Sequence, residues 1–146
     1  MTEPVHADVG RVIVESDWKV ATVCLDRPQK HNALTPEMLE QLERILIGLD
    51  SDRQVRVVLL TAVGDRSFCA GADIKRFKAL PPLDMWAHWT RLGHRVFDRL
   101  AGLRQPTIAA VTGNAYGGGF ELALACDLRI VADAAALGRG VHDVLL

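Results

Sequence analysis

The alternation of hydrophobic and polar positions at the start of the chain predicts a β-hairpin. Residues 11–15 and 20–25 are two short runs rich in Val, Ile and Thr, and the polar segment 16–19 joins them. β-Branched residues favour strands, and a short polar connection between two such runs favours a hairpin turn. We therefore expect two adjacent strands before residue 26.

An amphipathic helix is predicted next, beginning at Thr35. The Thr35 hydroxyl can cap the first turn, Pro36 loses no hydrogen bond at the first helical position, and Glu37 faces the positive end of the helix dipole. The apolar residues that follow fall on one helical face, namely Met38, Leu39, Leu42, Ile45, Leu46 and Leu49. Residues 55–61 then form a continuous run typical of a strand covered on both sides, which predicts a parallel strand–helix–strand unit.

The second half of the chain combines further helices and strands with loops of small residues. Residues 62–74 form one such loop, Pro81 and Pro82 break the chain, and a long helix ends near Gly102. The packing residues expected on that helix are Trp86, Trp89, Gly93, Phe97 and Leu100. The later elements are predicted as a strand at 107–111, a glycine-rich turn at 113–119, a helix at 120–126 and a strand at 128–132. This order predicts an α/β fold with the glycine turn at the carboxyl end of a strand, where such folds bind ligands.

Composition narrows the class of protein. The chain has 146 residues, 49% of them hydrophobic and 24% charged, with a net charge of −1, which predicts one globular domain spanning residues 1–146. The balanced charge argues against nucleic-acid and membrane-surface partners. The polar, acidic start does not resemble a secretory signal, so we expect a cytoplasmic location. Cys24, Cys69 and Cys126 are widely spaced, which predicts reduced and mostly buried thiols.

Two loops of small residues are candidates for chemistry, at positions 69–75 and 116–121. Three glycines at 117–119 open a helix whose first N–H groups have no helical partner, so they could bind an anion or a developing oxyanion. The alternative is that these glycines only allow close packing of helix and strand. The spacing fits neither a dinucleotide-binding nor a phosphate-loop motif, which argues against a nucleotide site. The histidines show no metal-binding spacing, so we expect no metal.

Four segments in order resemble the enoyl-CoA hydratase/isomerase (crotonase) superfamily. They are Leu-Asp-Arg-Pro at 25–28 with Asn-Ala-Leu at 32–34, Phe-Cys-Ala-Gly-Ala-Asp-Ile-Lys at 68–75, Pro-Thr-Ile-Ala-Ala-Val at 106–111, and Gly-Gly-Gly-Phe-Glu-Leu at 117–122 followed by Cys-Asp-Leu-Arg at 126–129. The resemblance implies an α/β fold with a crotonase-like ββα spiral core.

The resemblance also implies a substrate and a site. The substrate would be an acyl-CoA thioester, whose carbonyl oxygen accepts hydrogen bonds from the backbone amides of Ala72 and Gly118. One such donor contributes about 2.7–4 kcal/mol to lowering a barrier. Coenzyme A is part of the substrate, so no separate cofactor is implied. The residues implied in binding the substrate or its CoA portion are Lys30, Ala33, Ala70, Ala72, Asp73, Ile74, Lys75 and Gly118. For Lys75 the alternative is a solvated loop lysine.

Glu121 matches the glutamate that family hydratases use as acid and base. We expect this carboxylate to be partly desolvated, although a first-turn Glu also interacts favourably with the helix dipole. Hydratases use a second glutamate, and Val141 occupies its place here, with Gly140 where proline would stand. Asp143 lies two residues further on. A single acid/base would still support a 1,3-proton shift, as in related isomerases.

Relatives continue beyond position 146 into helices that cover the acyl pocket and form trimer contacts. We therefore expect a C-terminally incomplete domain that lacks this helical lid, and a homotrimer or dimer of trimers if the family interface is retained. Two functions stay open at this point. One is an acyl-CoA enzyme of the hydratase/isomerase type, in fatty-acid or related acyl-CoA metabolism. The other is an impaired or inactive paralogue that binds CoA weakly or acts only by association.

Overall fold

A computed structural model describes residues 9–138, which form a mixed α/β fold with two sheets. The strands are β1 (Arg11–Asp17), β2 (Val20–Asp26), β3 (Val57–Ala62), β4 (Ser67–Cys69), β5 (Thr107–Val111), β6 (Asn114–Tyr116), β7 (Leu128–Val131) and β8 (Leu137–Gly138). The helices are α1 (Pro36–Ser51), α2 (Ile74–Lys78), α3 (Pro82–Met85), a π-helical segment (Trp86–Arg91), α4 (Leu92–Ala101) and α5 (Gly118–Ala125).

The larger sheet has the strand order β1-β2-β3-β5-β7. β1 and β2 form the predicted hairpin, antiparallel and in register from Arg11 opposite Asp26 to Asp17 opposite Val20. The remaining neighbours in this sheet are parallel. The predicted β2–α1–β3 crossover is therefore confirmed. β7 forms one edge of this sheet, and all four of its residues are exposed.

α1 begins and packs as its sequence predicts. The Thr35 Oγ1 atom accepts a hydrogen bond from the Met38 amide at 3.2 Å and donates one to the Val9 carbonyl at 2.6 Å. The buried residues of the helix are Met38, Leu39, Leu42, Leu46 and Leu49. The apolar stripe therefore faces the core and holds the helix against the sheet, because removing this surface from water favours the packed state.

The expectation that the strand near residue 58 is covered on both sides is wrong. Burial alternates along β3, with Val58 and Leu60 buried and Val57 and Leu59 partly exposed. β5 shows the same alternation. A run of apolar residues indicates a strand but does not reveal which face is covered, since β-branched residues favour strands on either face.

A second, three-stranded sheet is present, and two of its strands, β4 and β6, lie in segments predicted as a loop and a turn. Its order is β4-β6-β8, and both pairings are parallel. These strands have two or three residues, which is too short for a hydrophobic period to be recognised. The pairing of Ser67 with Asn114 and of Cys69 with Ala115 brings the first small-residue loop beside the glycine turn.

The predicted long helix includes an unexpected π-helical segment, Trp86–Arg91. Trp86 is 49% exposed and the guanidinium carbon of Arg91 lies 4.8 Å from its ring centroid, so Trp86 does not pack in the core as expected. Trp89 is half-buried and packs against the core. Between residues 9 and 138, no helix has both the length and the apolar character needed to cross a membrane.

Candidate active site

The two small-residue loops meet at Gly71. A Cβ atom added there would lie 2.9 Å from the Tyr116 carbonyl oxygen and 3.2 Å from the Gly118 nitrogen. Gly71 also has φ +97°, a backbone conformation that residues with a side chain rarely adopt. The contact between the loops therefore depends on glycine at this position.

The amide of Ala72 is available to an external acceptor. Ala72 forms an isolated parallel bridge with Leu34, in which the Leu34 amide donates to the Gly71 carbonyl at 2.7 Å and the Asp73 amide donates to the Leu34 carbonyl at 2.9 Å. These bonds use the groups on either side of Ala72. Among the hydrogen bonds of residues 9–138, none has the Ala72 amide as its donor.

The Gly118 amide is available for a different reason. Gly118 is the first residue of α5, so its N–H group has no partner within the helix. No acceptor for it occurs elsewhere in the described part of the chain. Gly117 precedes it with φ 51° and ψ −125°, a turn that glycine adopts readily. The structure thus brings close together the two loops that carry the predicted oxyanion donors.

Gly119 has a packing role. A Cβ atom here would lie 2.6 Å from the Cβ atom of Cys69 and 2.7 Å from its carbonyl carbon, so only glycine allows α5 to approach β4 this closely. Both interpretations of the glycine run therefore apply, at different positions. Gly119 allows close packing of helix and strand, and Gly118 leaves a backbone donor unpaired.

A buried arginine and asparagine hold the turn that carries Lys30 and Ala33, and sequence analysis assigned neither of them a role. Arg27 donates from Nη1 to Asp73 Oδ2 at 2.8 Å and to the Ala33 carbonyl at 3.2 Å. Asn32 accepts from the Arg27 amide and donates to two carbonyls near β4. Both residues are almost fully buried. The available sequence signal was their place in the family-like segments 25–28 and 32–34.

Asp73 has structural contacts of its own. Its carboxylate binds Arg27 and accepts a hydrogen bond from the Arg76 amide at 3.2 Å, which caps α2. Partial burial opposes ionisation, but the hydrogen bonds from Arg27 and the backbone outweigh it and hold the pKa of Asp73 below its usual value. The carboxylate is therefore charged at neutral pH and already paired with the protein.

The predicted CoA-binding positions lie on two connected segments. The Ala70 amide donates to the His31 carbonyl at 3.0 Å, which joins the turn around Lys30 to the loop that continues into α2. Lys30, Ala70 and Lys75 are exposed. Ile74 is 56% exposed. These side chains are accessible to a ligand, and their role in binding CoA stays a prediction.

Glu121 lies one turn into α5, about 4.5 Å along the helix axis from Gly118. It borders an open cleft of about 610 Å³ between α4 and α5, which Phe97 and Leu124 also line. Glu121 is exposed in the described part of the chain, so the expectation that its carboxylate is partly desolvated is wrong there. The helix places Glu121 one turn beyond the glycine turn, and the described residues leave its side chain open to water.

The family comparison agrees with this geometry. The family model described as enoyl-CoA hydratase/isomerase matches residues 15–142. The chain belongs to the enoyl-CoA hydratase/isomerase family. This match includes β2, both small-residue loops and Glu121.

Individual relatives support the same assignment. The short-chain-enoyl-CoA hydratase of Clostridium acetobutylicum is 39% identical over 132 residues, which are 90% of this chain and 50% of that protein. The crotonyl-CoA hydratase of Syntrophomonas wolfei is 37% identical over 128 residues, or 88% of this chain and 49% of that protein. The chain therefore spans about half the length of these relatives.

A solved structure confirms the predicted crotonase-like α/β fold. An enoyl-CoA hydratase from Bacillus anthracis superimposes with a TM-score of 0.85 and 36% sequence identity. The match covers 92% of this chain and 52% of that structure. The fold described above is thus shared with about half of that structure.

Three further expectations concern the second glutamate, the cysteine thiols and metal binding. Gly140, Val141 and Asp143, where the second glutamate was sought, lie outside the described residues. Burial raises the pKa of Cys69 to about 12 and that of Cys126 to about 11, so both thiols are protonated at neutral pH and are poor nucleophiles. Within positions 9–138, no cluster of three or more His, Cys, Asp or Glu residues could hold a metal ion.

Proposed function

We propose that this chain carries the thioester-binding part of an acyl-CoA enzyme of the enoyl-CoA hydratase/isomerase type. One observation carries the proposal: the unpaired amides of Ala72 and Gly118 belong to loops that meet at Gly71. Two backbone donors with no internal acceptor are suited to the carbonyl oxygen of a thioester. That oxygen gains negative charge as an enolate forms, and preorganised donors stabilise it.

Glu121 is the proposed acid/base. Addition of water to an enoyl thioester places oxygen at Cβ and a proton at Cα, and a carboxylate beside the thioester can transfer that proton. A 1,3-proton shift would use the same carboxylate without orienting a water molecule. The names of the similar proteins favour hydration over the proton shift. Their similarity to this chain does not favour the alternative of an impaired or inactive paralogue.

The exposed positions Lys30, Ala70 and Lys75 are proposed to contact the CoA portion of the substrate. Lys30 and Lys75 are exposed and add positive charge to the two connected segments that carry the predicted CoA-binding positions, which suits phosphate groups. We propose a cytoplasmic role in fatty-acid or related acyl-CoA metabolism. A trimer or dimer of trimers is the proposed assembly, and size-exclusion chromatography with light scattering measures it directly.

Replacement of Gly118 by proline tests the oxyanion hole. Proline removes the N–H group at a first helical position, where no helical hydrogen bond is lost, and Gly117 has no Cβ to clash with the ring. We expect Gly118→Pro to lower kcat for hydration of crotonyl-CoA by about 10²–10³-fold. Activity is followed as the loss of enoyl-thioester absorbance.

Gly118→Ala is the matched control for this substitution. It keeps the donor, and its Cβ would have no protein neighbour closer than 3.6 Å, so we expect it to fold and to lose much less activity than the proline variant. Equal turnover of the proline and alanine variants would contradict the assignment of the Gly118 amide as a donor.

A further inference from the structure

Three apolar side chains form a wall beside Gly118, whose amide is the proposed donor to the thioester oxygen. A Cβ atom at Gly118 would lie 3.6 Å from Cη2 of Trp89, 3.7 Å from Cδ1 of Leu34 and 3.8 Å from Cζ of Phe97. These are ordinary van der Waals distances from three separate parts of the chain. The glycine whose amide is the proposed donor is therefore lined by these side chains.

Trp89 belongs to the π-helical segment, and Phe97 belongs to α4. Trp89 and Phe97 are eight residues apart, which corresponds to about 12 Å along a helix axis. Both rings nevertheless reach the same glycine, so together they form a wall spanning two helical turns. π-Helical turns are rare and often occur at functional sites. Trp86, in the same segment, turns outward instead.

Trp89 is supported from behind by Phe77. The two ring centroids are 4.3 Å apart with an interplanar angle of 42°, and Phe77 is only 2% exposed. A ring backed by a buried aromatic residue has little room to move away from a ligand, because side chains in a core are closely packed. The contact with Phe77 therefore restricts movement of the Trp89 ring toward Phe77.

We propose that Trp89 determines specificity by selecting against acyl groups that are branched next to the thioester carbonyl. This inference rests on the proposed function. The tip of the indole ring lies beside the glycine whose amide would hold the carbonyl oxygen, so the first carbons of the acyl group pass closest to it. A methyl branch on the α-carbon would need the ring to move, whereas a linear chain would not. The α4–α5 cleft beyond Phe97 is open, so this wall restricts the width of the acyl group next to the carbonyl rather than the length of its chain.

The test compares crotonyl-CoA with 2-methylcrotonyl-CoA as substrates of the full chain. A single extra methyl group in a hydrophobic pocket typically changes kcat/KM by about 10–200-fold. We expect the wild-type protein to prefer the linear substrate by a factor in this range, and Trp89→Ala to reduce that preference by at least about tenfold. The gain should come from faster turnover of the branched substrate.

Two further variants complete the design. Trp86→Ala removes a tryptophan of the same segment that is 49% exposed, and it should leave the preference unchanged. Trp89→Phe keeps an aromatic contact with Phe77 and should give an intermediate preference, so it provides the test if Trp89→Ala does not fold. Thermal melting confirms that each variant is folded.

The outcomes separate this inference from the proposed function. An unchanged preference in folded Trp89 variants, or an equal change in Trp86→Ala, overturns the role of Trp89. If the wild-type protein turns over neither substrate, the preference is measured as the ratio of Kd values for acetoacetyl-CoA and 2-methylacetoacetyl-CoA. Binding without turnover overturns the proposed reaction but leaves the Kd ratio to decide the role of Trp89, and failure to bind either ligand overturns both.

Discussion

Replacing Gly119 with alanine tests how closely α5 must approach β4. The new Cβ atom would lie 2.6 Å from the Cys69 Cβ atom and 2.7 Å from its carbonyl carbon, and real Cβ contacts below 3.0 Å essentially do not occur. The opposing atoms belong to the backbone and Cβ of a residue that is fully buried, so they cannot rotate away. The helix and the strand would have to separate.

The cost can be worked out from these distances. Ordinary contact begins at 3.4 Å, so the Cys69 Cβ contact alone requires a separation of roughly 0.8 Å, the difference between 3.4 and 2.6 Å. Overpacking costs about 1–3 kcal/mol, and we expect about 3 kcal/mol here because the backbone itself has to move. For a chain of this length, that loss lowers Tm by roughly 6–12 °C.

The same displacement should also affect activity. The Gly118 amide precedes Gly119 directly, so it moves with the start of the helix. A misplacement of about 1 Å can lower a catalysed rate by about 10²-fold. We therefore expect Gly119→Ala to lose crotonyl-CoA hydration as well as stability.

Thermal and urea unfolding of Gly119→Ala and Gly118→Ala measure the effect. Gly118→Ala meets no close contact, so we expect its unfolding free energy to change by less than about 1 kcal/mol. A Gly119→Ala protein that melts within about 2 °C of the wild type would refute the packing argument. Equal destabilisation by both substitutions would also refute it.

Two other predictions concern ionisable groups. The pKa of Asp73 is lowered on folding, so its contribution to stability is present above the ordinary carboxyl pKa and is lost as pH falls through the lower folded value. In urea unfolding at a series of pH values, Asp73→Asn should show a smaller loss of unfolding free energy at acid pH. The same pH dependence of the unfolding free energy as in the wild type would contradict the lowered pKa of Asp73. Burial raises the pKa of Cys69 to about 12, so iodoacetamide should label this thiol at pH 8 only after unfolding. Cys24 is half-buried and should be labelled first, with the labelled sites located by mass spectrometry. Rapid labelling of Cys69 in the native protein would contradict its burial.

Local signals explain which elements were predicted correctly. The hairpin follows from two β-rich runs around a short polar turn, and α1 follows from Thr35, Pro36 and a regular apolar stripe. Each signal lies within one element, so it can be recognised without knowledge of the fold. β4 and β6 have three residues each and produced no such signal, although their pairing assembles the site.

Long-range contacts explain what the sequence could not reveal. The Arg27–Asp73 ion pair joins residues 46 positions apart, and no local pattern identifies such partners. Similarly, Trp86 and Trp89 have the same residue type and a helical spacing, yet one is half-exposed and the other lines the wall at Gly118. Their environments depend on the π-helical segment and on elements distant in the chain.

For the candidate site, the sequence alone determined the chemical groups: small residues with accessible backbone at Ala72 and Gly118, and one carboxylate at Glu121. The tertiary structure decided that the two donor loops meet, that Gly119 has a packing role and that Glu121 is exposed. The physical reason is that a residue's own chemistry and local conformation are properties of its segment, whereas the distance between two segments is set by pairing and packing across the fold.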